Sequence, residues 1–256
     1  MKLSWLILGW GIMGLLGCGS KGGFQQAAQH NRQQPEKAAE INMQLGIEYM
    51  RRQQYDIALN RLEKALEIDP NYADGHNAMA VLYEQLGQTA QAQQHFQQAL
   101  QLNPSGSDIH NNYGQFLCKR GQWEQAQQHF SRALENPLYR TPEIPLTNAA
   151  LCAVRAKNYS RADSYLTQVL QKNPESLIAL YQMSLIRYEQ GQYTDAQNYF
   201  RRYLRLGSQS AETLWLGVRL ARALNDPEQA SQYAAQLRSQ YPDSSETRLL
   251  NQLERQ

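Results

Sequence analysis

Residues 39–72 read AEINMQLGIEYMRRQQYDIALNRLEKALEIDPNY. Two segments with apolar residues at helical spacing flank a polar turn at Gln53–Gln54, and Pro70 closes the unit. Leu45, Gly46, Tyr49, Ala58, Leu62 and Ala65 mark the intervals, and 34 residues later Met79, Ala80, Tyr83, Ala92, Phe96 and Ala99 take their places, followed by Pro104. A helix–turn–helix unit of this length cannot bury its apolar face alone. Stacking successive units supplies the core.

The period runs to the end of the chain. A small residue, needed where the second helix presses on the first, recurs as Ala58, Ala92, Ala126, Ala162, Ala196 and Ala230, at spacings of 34, 34, 36, 34 and 34. Four residues later stand Leu62, Phe96, Phe130, Leu166 and Phe200, with Ala234 as the exception. The turns carry Gly87, Gly121, Gly191 and Asn225, residue types that accept left-handed backbone angles. Pro70, Pro104, Pro174 and Pro242 end repeats. This pattern resembles the tetratricopeptide repeat. The resemblance implies an all-α, right-handed superhelical solenoid of six repeats at 39–72, 73–106, 107–140, 143–176, 177–210 and 211–244. Residues 245–256 read as a capping helix, with Leu249, Leu250 and Leu253 turned inward. Between the third and fourth repeats, Asn136–Pro145 holds three prolines. It reads either as a longer loop that changes the curvature or as a tolerated insertion.

Residues 1–17 stand apart from this pattern. Lys2 precedes an apolar stretch, Leu3–Gly17, that is short for a membrane span, and Leu15-Leu16-Gly17-Cys18 resembles a bacterial lipobox. The resemblance implies cleavage after Gly17 and covalent lipid on Cys18, with several acyl chains giving a firm anchor. The alternative is an ordinary signal peptide with an incidental cysteine. Gly19, in place of an Asp, favours a lipid-anchored position at the outer membrane, with the periplasmic face as the expected side and the cell surface as the alternative. Residues 18–38 then read as a lipidated N-terminus and flexible tether spanning about 25 Å, with part of it helical.

Two cysteines remain, Cys118 and Cys152, on the first helices of adjacent repeats. In an oxidising periplasm they suggest a disulfide across the Pro-rich joint. Two free buried thiols are the alternative, because the pair is offset by two positions in the repeat register.

A net charge of +2 with 19% charged residues gives no electrostatic footprint for nucleic acid. No phosphate loop, CxxC, HExxH or GxSxG occurs, so the chain reads as a non-enzyme without a small-molecule substrate, metal or cofactor beyond the lipid on Cys18. His76 and His110 occupy equivalent places in successive repeats, as do His95 and His129. Stacked helices keep equivalent positions about 8–10 Å apart, too far for shared metal ligation. These histidines read as structural or surface residues.

What remains is a binding scaffold. In the tetratricopeptide family the first helices line a groove that accepts peptides. The resemblance points to Met43, Ile47 and Met50 as an adaptable apolar stripe, open or covered by the N-terminal segment. Leu151, Val154, Tyr181, Leu185 and Tyr188 form a second apolar surface. Asn77, Asn111, Asn112, Asn148 and Gln182 suit either hydrogen bonds to an extended peptide or structural roles.

The lipobox, the short tether, the six repeats and the Cys118/Cys152 pair together resemble the pilotins, type IV pilus biogenesis lipoproteins of the PilF/PilW family. That resemblance implies an outer-membrane scaffold that helps the pilus secretin, or other pilus assembly proteins, to localise, multimerise or remain stable. A periplasmic adaptor that recruits peptidoglycan or other envelope enzymes shares the same features.

Overall fold

The computed structural model describes residues 21–255. The segment 1–17, Cys18 and the first residues of the tether lie outside the described residues. Among the described residues every element is a helix: α1 Lys21–Arg51, α2 Tyr55–Ile68, α3 Ala73–Gln85, α4 Thr89–Leu102, α5 Ser107–Lys119, α6 Trp123–Ala133, α7 Glu143–Arg155, α8 Tyr159–Lys172, α9 Leu177–Glu189, α10 Tyr193–Leu206, α11 Ala211–Ala223, α12 Pro227–Gln240 and α13 Ser245–Leu253. The fold class is the all-α helix-pair solenoid that the period implies. None of the described helices is long and apolar enough to cross a membrane. The chain divides into two compact units, Met1–Tyr72 and Ala73–Gln256.

In the first unit α1 and α2 form one antiparallel pair. Gly46 lets them approach closely, because a Cβ there would stand 2.7 Å from Leu62 and 3.3 Å from the Ala58 carbonyl. α1 begins at Lys21, so most of the stretch read as a tether is helical here. Gln, Ala, Glu and Lys dominate its second half and favour helix. Pro35 sits in the helix interior, where it removes one backbone hydrogen bond.

In the second unit five helix pairs stack in order and α13 packs on α11 and α12. Ala92, Ala126, Ala162 and Ala196 are fully buried at the crossings, with Phe96, Phe130, Leu166 and Phe200 beside them. Within each hairpin the turn residue has a positive φ: Gly87, Gly121 and Gly191 lie at 73–75°, and Lys157 and Asn225 at 56°. The equivalent residue of the first unit, Gln53, lies at 58°. Ion pairs tie successive repeats along one side: Lys119–Glu84 at 2.9 Å, Arg161–Glu124 at 3.1 Å and Arg187–Asp163.

The Pro-rich joint between α6 and α7 is fastened at its middle. The Tyr139 hydroxyl donates to Asp108 at 2.6 Å, and burial together with that carboxylate pushes the phenol up to about 12. A disulfide joins Cys118 of α5 to Cys152 of α7, with their Cα atoms 5.8 Å apart. This spacing falls within the ordinary disulfide range. Both sulfurs are buried, with Cys118 at 3% and Cys152 at 1% exposure. The two-position offset in the repeat register is therefore no obstacle to pairing.

Of the capping leucines, Leu250 is buried, but Leu249 is 45% exposed and Leu253 half-buried. The inward reading of Leu249 is thus corrected. On a helix, adjacent residues point about 100° apart, so Leu249 cannot share Leu250's contact with the core.

Candidate partner-binding surface

The first helices of the repeats carry the expected binding residues, and their burial sorts them. In the first unit Met43 and Ile47 are half-buried, while Met50 is only 7% exposed. Met50 therefore leaves the stripe. It lies in the last turn of α1, and its carbonyl accepts the Gln53 N–H that forms the turn into α2. Ile41 at 48% and Leu45 at 39% exposure extend the accessible apolar surface of α1 instead.

In the second unit Asn77 and Asn111 are buried, at 9% and 4% exposure. Their amides are used internally. Asn148 donates to Asn111 at 2.8 Å, Asn111 to Asn112 at 3.3 Å and Asn112 to Asn77 at 3.2 Å. The row links α3, α5 and α7. Of the two uses open to these side chains, the structural one is realised at Asn77 and Asn111, because a buried amide must find a partner inside the protein. Gln127 reinforces the same region by donating from a buried position to the Ala149 carbonyl at 3.0 Å.

Beyond this row the first-helix face turns apolar and aromatic. Leu151, Val154, Tyr181, Leu185 and Tyr188 are all half-buried. Tyr181 packs on Tyr203 at 5.7 Å and Tyr188 on Tyr193 at 5.4 Å between ring centroids. Burial raises the phenols of Tyr181 and Tyr188 above the ordinary tyrosine value, so both remain neutral donors. The face ends in a depression of about 510 Å³ lined by Tyr188, Trp215, Arg219, Arg222 and the exposed side of α13. The sequence reading missed Trp215 and Arg219. Trp215 stands at the position of Met43, Asn77 and Tyr181 in the earlier repeats, so following that position to the last repeat would have found it.

The histidines pair within repeats. His76 and His95 bring their Nδ1 atoms to 3.0 Å, and His110 and His129 to 2.8 Å. Comparison of equivalent positions in successive repeats overlooked this hairpin partner. His110 Nε2 donates to the Pro104 carbonyl at 2.9 Å. A neutral His110 therefore accepts at Nδ1 and His129 donates to it. Burial first, then the neighbouring histidine, holds His95 and His129 down at about 4. Among the described residues no group of three or more His, Cys, Asp or Glu side chains could hold a metal ion.

The arrangement sets aromatic and aliphatic side chains on regularly spaced first helices. A tetratricopeptide repeat family model matches residues 85–137, 153–212 and 187–253, and a related repeat model matches 46–87. The chain is 31% identical over 234 residues to the type IV pilus assembly protein PilF of Pseudomonas aeruginosa, covering 91% of this chain and 92% of that protein. A crystal structure of PilW, described as a widely conserved type IV pilus biogenesis factor, superposes with a TM-score of 0.77 at 34% identity over 83% of this chain and 97% of that one. A solved structure of Pseudomonas aeruginosa PilF also gives a TM-score of 0.77, at 30% identity over 85% of this chain and 98% of the other.

Proposed function

Because the chain belongs to the PilF/PilW family of type IV pilus tetratricopeptide-repeat proteins, we propose that it is a lipid-anchored scaffold of the outer membrane that binds the pilus secretin and promotes its localisation, multimerisation or stability. The observation that carries this reading is similarity along nearly the whole length of both proteins, 91% of this chain and 92% of the relative. Similarity confined to one or two repeats would carry only the fold. The lipobox ending at Cys18 supports the anchor. Lipid on Cys18 places the scaffold on the periplasmic face, and the first-helix surfaces hold a segment of an unassembled subunit. Confinement to a surface raises the local concentration of captured subunits, which favours ring assembly without any new contact. The apolar side chains of Met43 and Ile47 are one docking point, and Leu151, Tyr181 and Tyr188 are another.

The test compares heat-resistant secretin multimers in cells carrying the wild-type chain, a deletion, and Ile47→Asp. Ile47 is half-buried, and the variant is expected to remain folded and lipidated while multimers fall to the level of the deletion. Normal multimers in the deletion would refute the secretin reading. Normal multimers in Ile47→Asp alone would remove the first repeat from it. Crosslinked recovery of peptidoglycan hydrolases in place of the secretin would establish an envelope-enzyme adaptor instead.

A further inference from the structure

The depression at the C-terminal end of the first-helix face has features that apolar packing alone does not require. Its walls include Tyr188, Trp215, Leu249 and Leu253, and two arginines of α11, Arg219 and Arg222, line it beside them. Arg219 lies over Tyr188 at 4.6 Å and near Trp215 at 5.8 Å. Such stacking fixes the plane of the fork without neutralising its charge. Among the described residues its ion-pair partner is Glu189, at 3.5 Å and on an exposed side chain. The Arg219 Nε is buried and has no acceptor among the described residues. Arg222 forms no ion pair among the described residues. It also borders a neighbouring depression where Glu254 stands, but Glu254 is bound to Arg238.

We propose that this depression is a docking site for a polypeptide segment carrying an Asp or Glu side chain beside a bulky aliphatic residue. The aliphatic side chain enters between Trp215 and the Leu249/Leu253 pair, where it displaces water from apolar walls. The carboxylate takes the donors of Arg222 and the outer edge of Arg219, competing with Glu189. Charge complementarity selects the class of partner: two cations against one solvent-exposed acid leave a net positive site. A purely apolar segment would bury an unpaired guanidinium. The assignment deepens the scaffold reading by naming the chemistry one part of the surface accepts. Its test uses no pilus component, so the two can fail separately.

The experiment is fluorescence anisotropy of the full chain in detergent micelles with a fluorescein-labelled, C-terminally amidated peptide of repeating Gly-Leu-Glu. Saturable binding is expected, weakened about tenfold, or about 1.4 kcal/mol, by Glu→Gln throughout the peptide and by Arg222→Gln in the protein. Glu189→Gln, which releases Arg219 from its acidic neighbour, is expected to tighten binding. A merely structural role for these residues would not produce that increase. Thermal melting checks that both exposed-site variants stay folded. Absence of saturable binding, equal binding of the Gln peptide, or indifference to Arg222→Gln would overturn the proposal. So would binding of the Gln peptide restored only by a free C-terminal carboxylate, because the site would then be reading a chain end.

Discussion

The disulfide between Cys118 and Cys152 closes a loop with a sequence separation of 34 residues. In the chain-entropy model the cost of closure is borne by the unfolded state and grows with the logarithm of loop length. For this separation it comes to about 3.8 kcal/mol at 25 °C. The closed loop contains α6, the Pro-rich joint and most of α7, so the bond clips together the two repeats whose connection departs most from the period. Reduction should therefore lower the stability of the second unit by about 3–4 kcal/mol. With a urea slope of about 2 kcal/mol per molar, the midpoint should fall by about 2 M. Both sulfurs are buried, so the protein is reduced in urea and refolded in reductant, and unfolding is then followed by circular dichroism beside the oxidised form. In an array coupled only through neighbours, removal of the clip can also split the transition, with repeats before and after the joint melting separately. A midpoint shift below about 0.5 M, with free thiols verified, would refute the reasoning. It would mean that the unfolded chain already keeps these helices together.

Acid should destabilise the protein through its paired histidines. His95 and His129 are held at about 4, against an ordinary value near 6.5 in the unfolded chain. Between those values the unfolded state binds more protons, so stability falls as pH drops through that window. Because both rings are only partly buried, solvent screening reduces the loss to about 1 kcal/mol each. The difference in urea stability between pH 7 and pH 4.5 should shrink in the double variant His95→Gln/His129→Gln, and an unchanged difference would contradict the assignment. Lys157 holds a φ of 56° where three other repeats place glycine. Lys157→Gly should therefore raise stability by about 0.5–1 kcal/mol, read as a higher melting temperature, and a lower one would show that its side chain makes a contact of comparable worth.

The helical pairs were legible in the sequence because their determinants are local and repeated. Ala58, Ala92, Ala126 and their equivalents hold one geometric role each, and a period makes that role visible without any coordinates. The binding surface was less legible because it depends on which neighbours cover a side chain. Met43, Ile47 and Met50 form one stripe by spacing, yet Met50 is buried and Ile41 and Leu45 stand open. Asn77 and Asn111 offered the same donors to a peptide or to each other, and no spacing rule distinguishes those uses. The histidine pairs were missed for a related reason: a hairpin brings together residues 19 apart, a separation absent from a comparison made at the repeat length. Arg219 and Trp215 acquire their roles only where α13 completes the depression.

The row of amides from Asn148 through Asn111 and Asn112 to Asn77 has a direction. Each member gives a hydrogen to the next, so the four dipoles run head to tail and reinforce one another. One end of the row is a carbonyl oxygen, on half-buried Asn148 at the edge of the apolar face, and the other is an amino group on Asn77. The row is consequently a polarised tie between α3, α5 and α7, and turning any one amide over would set oxygen against oxygen or hydrogen against hydrogen. Three helices of nearly identical units are thereby tied by side chains that have only one working sense, from Asn148 towards Asn77.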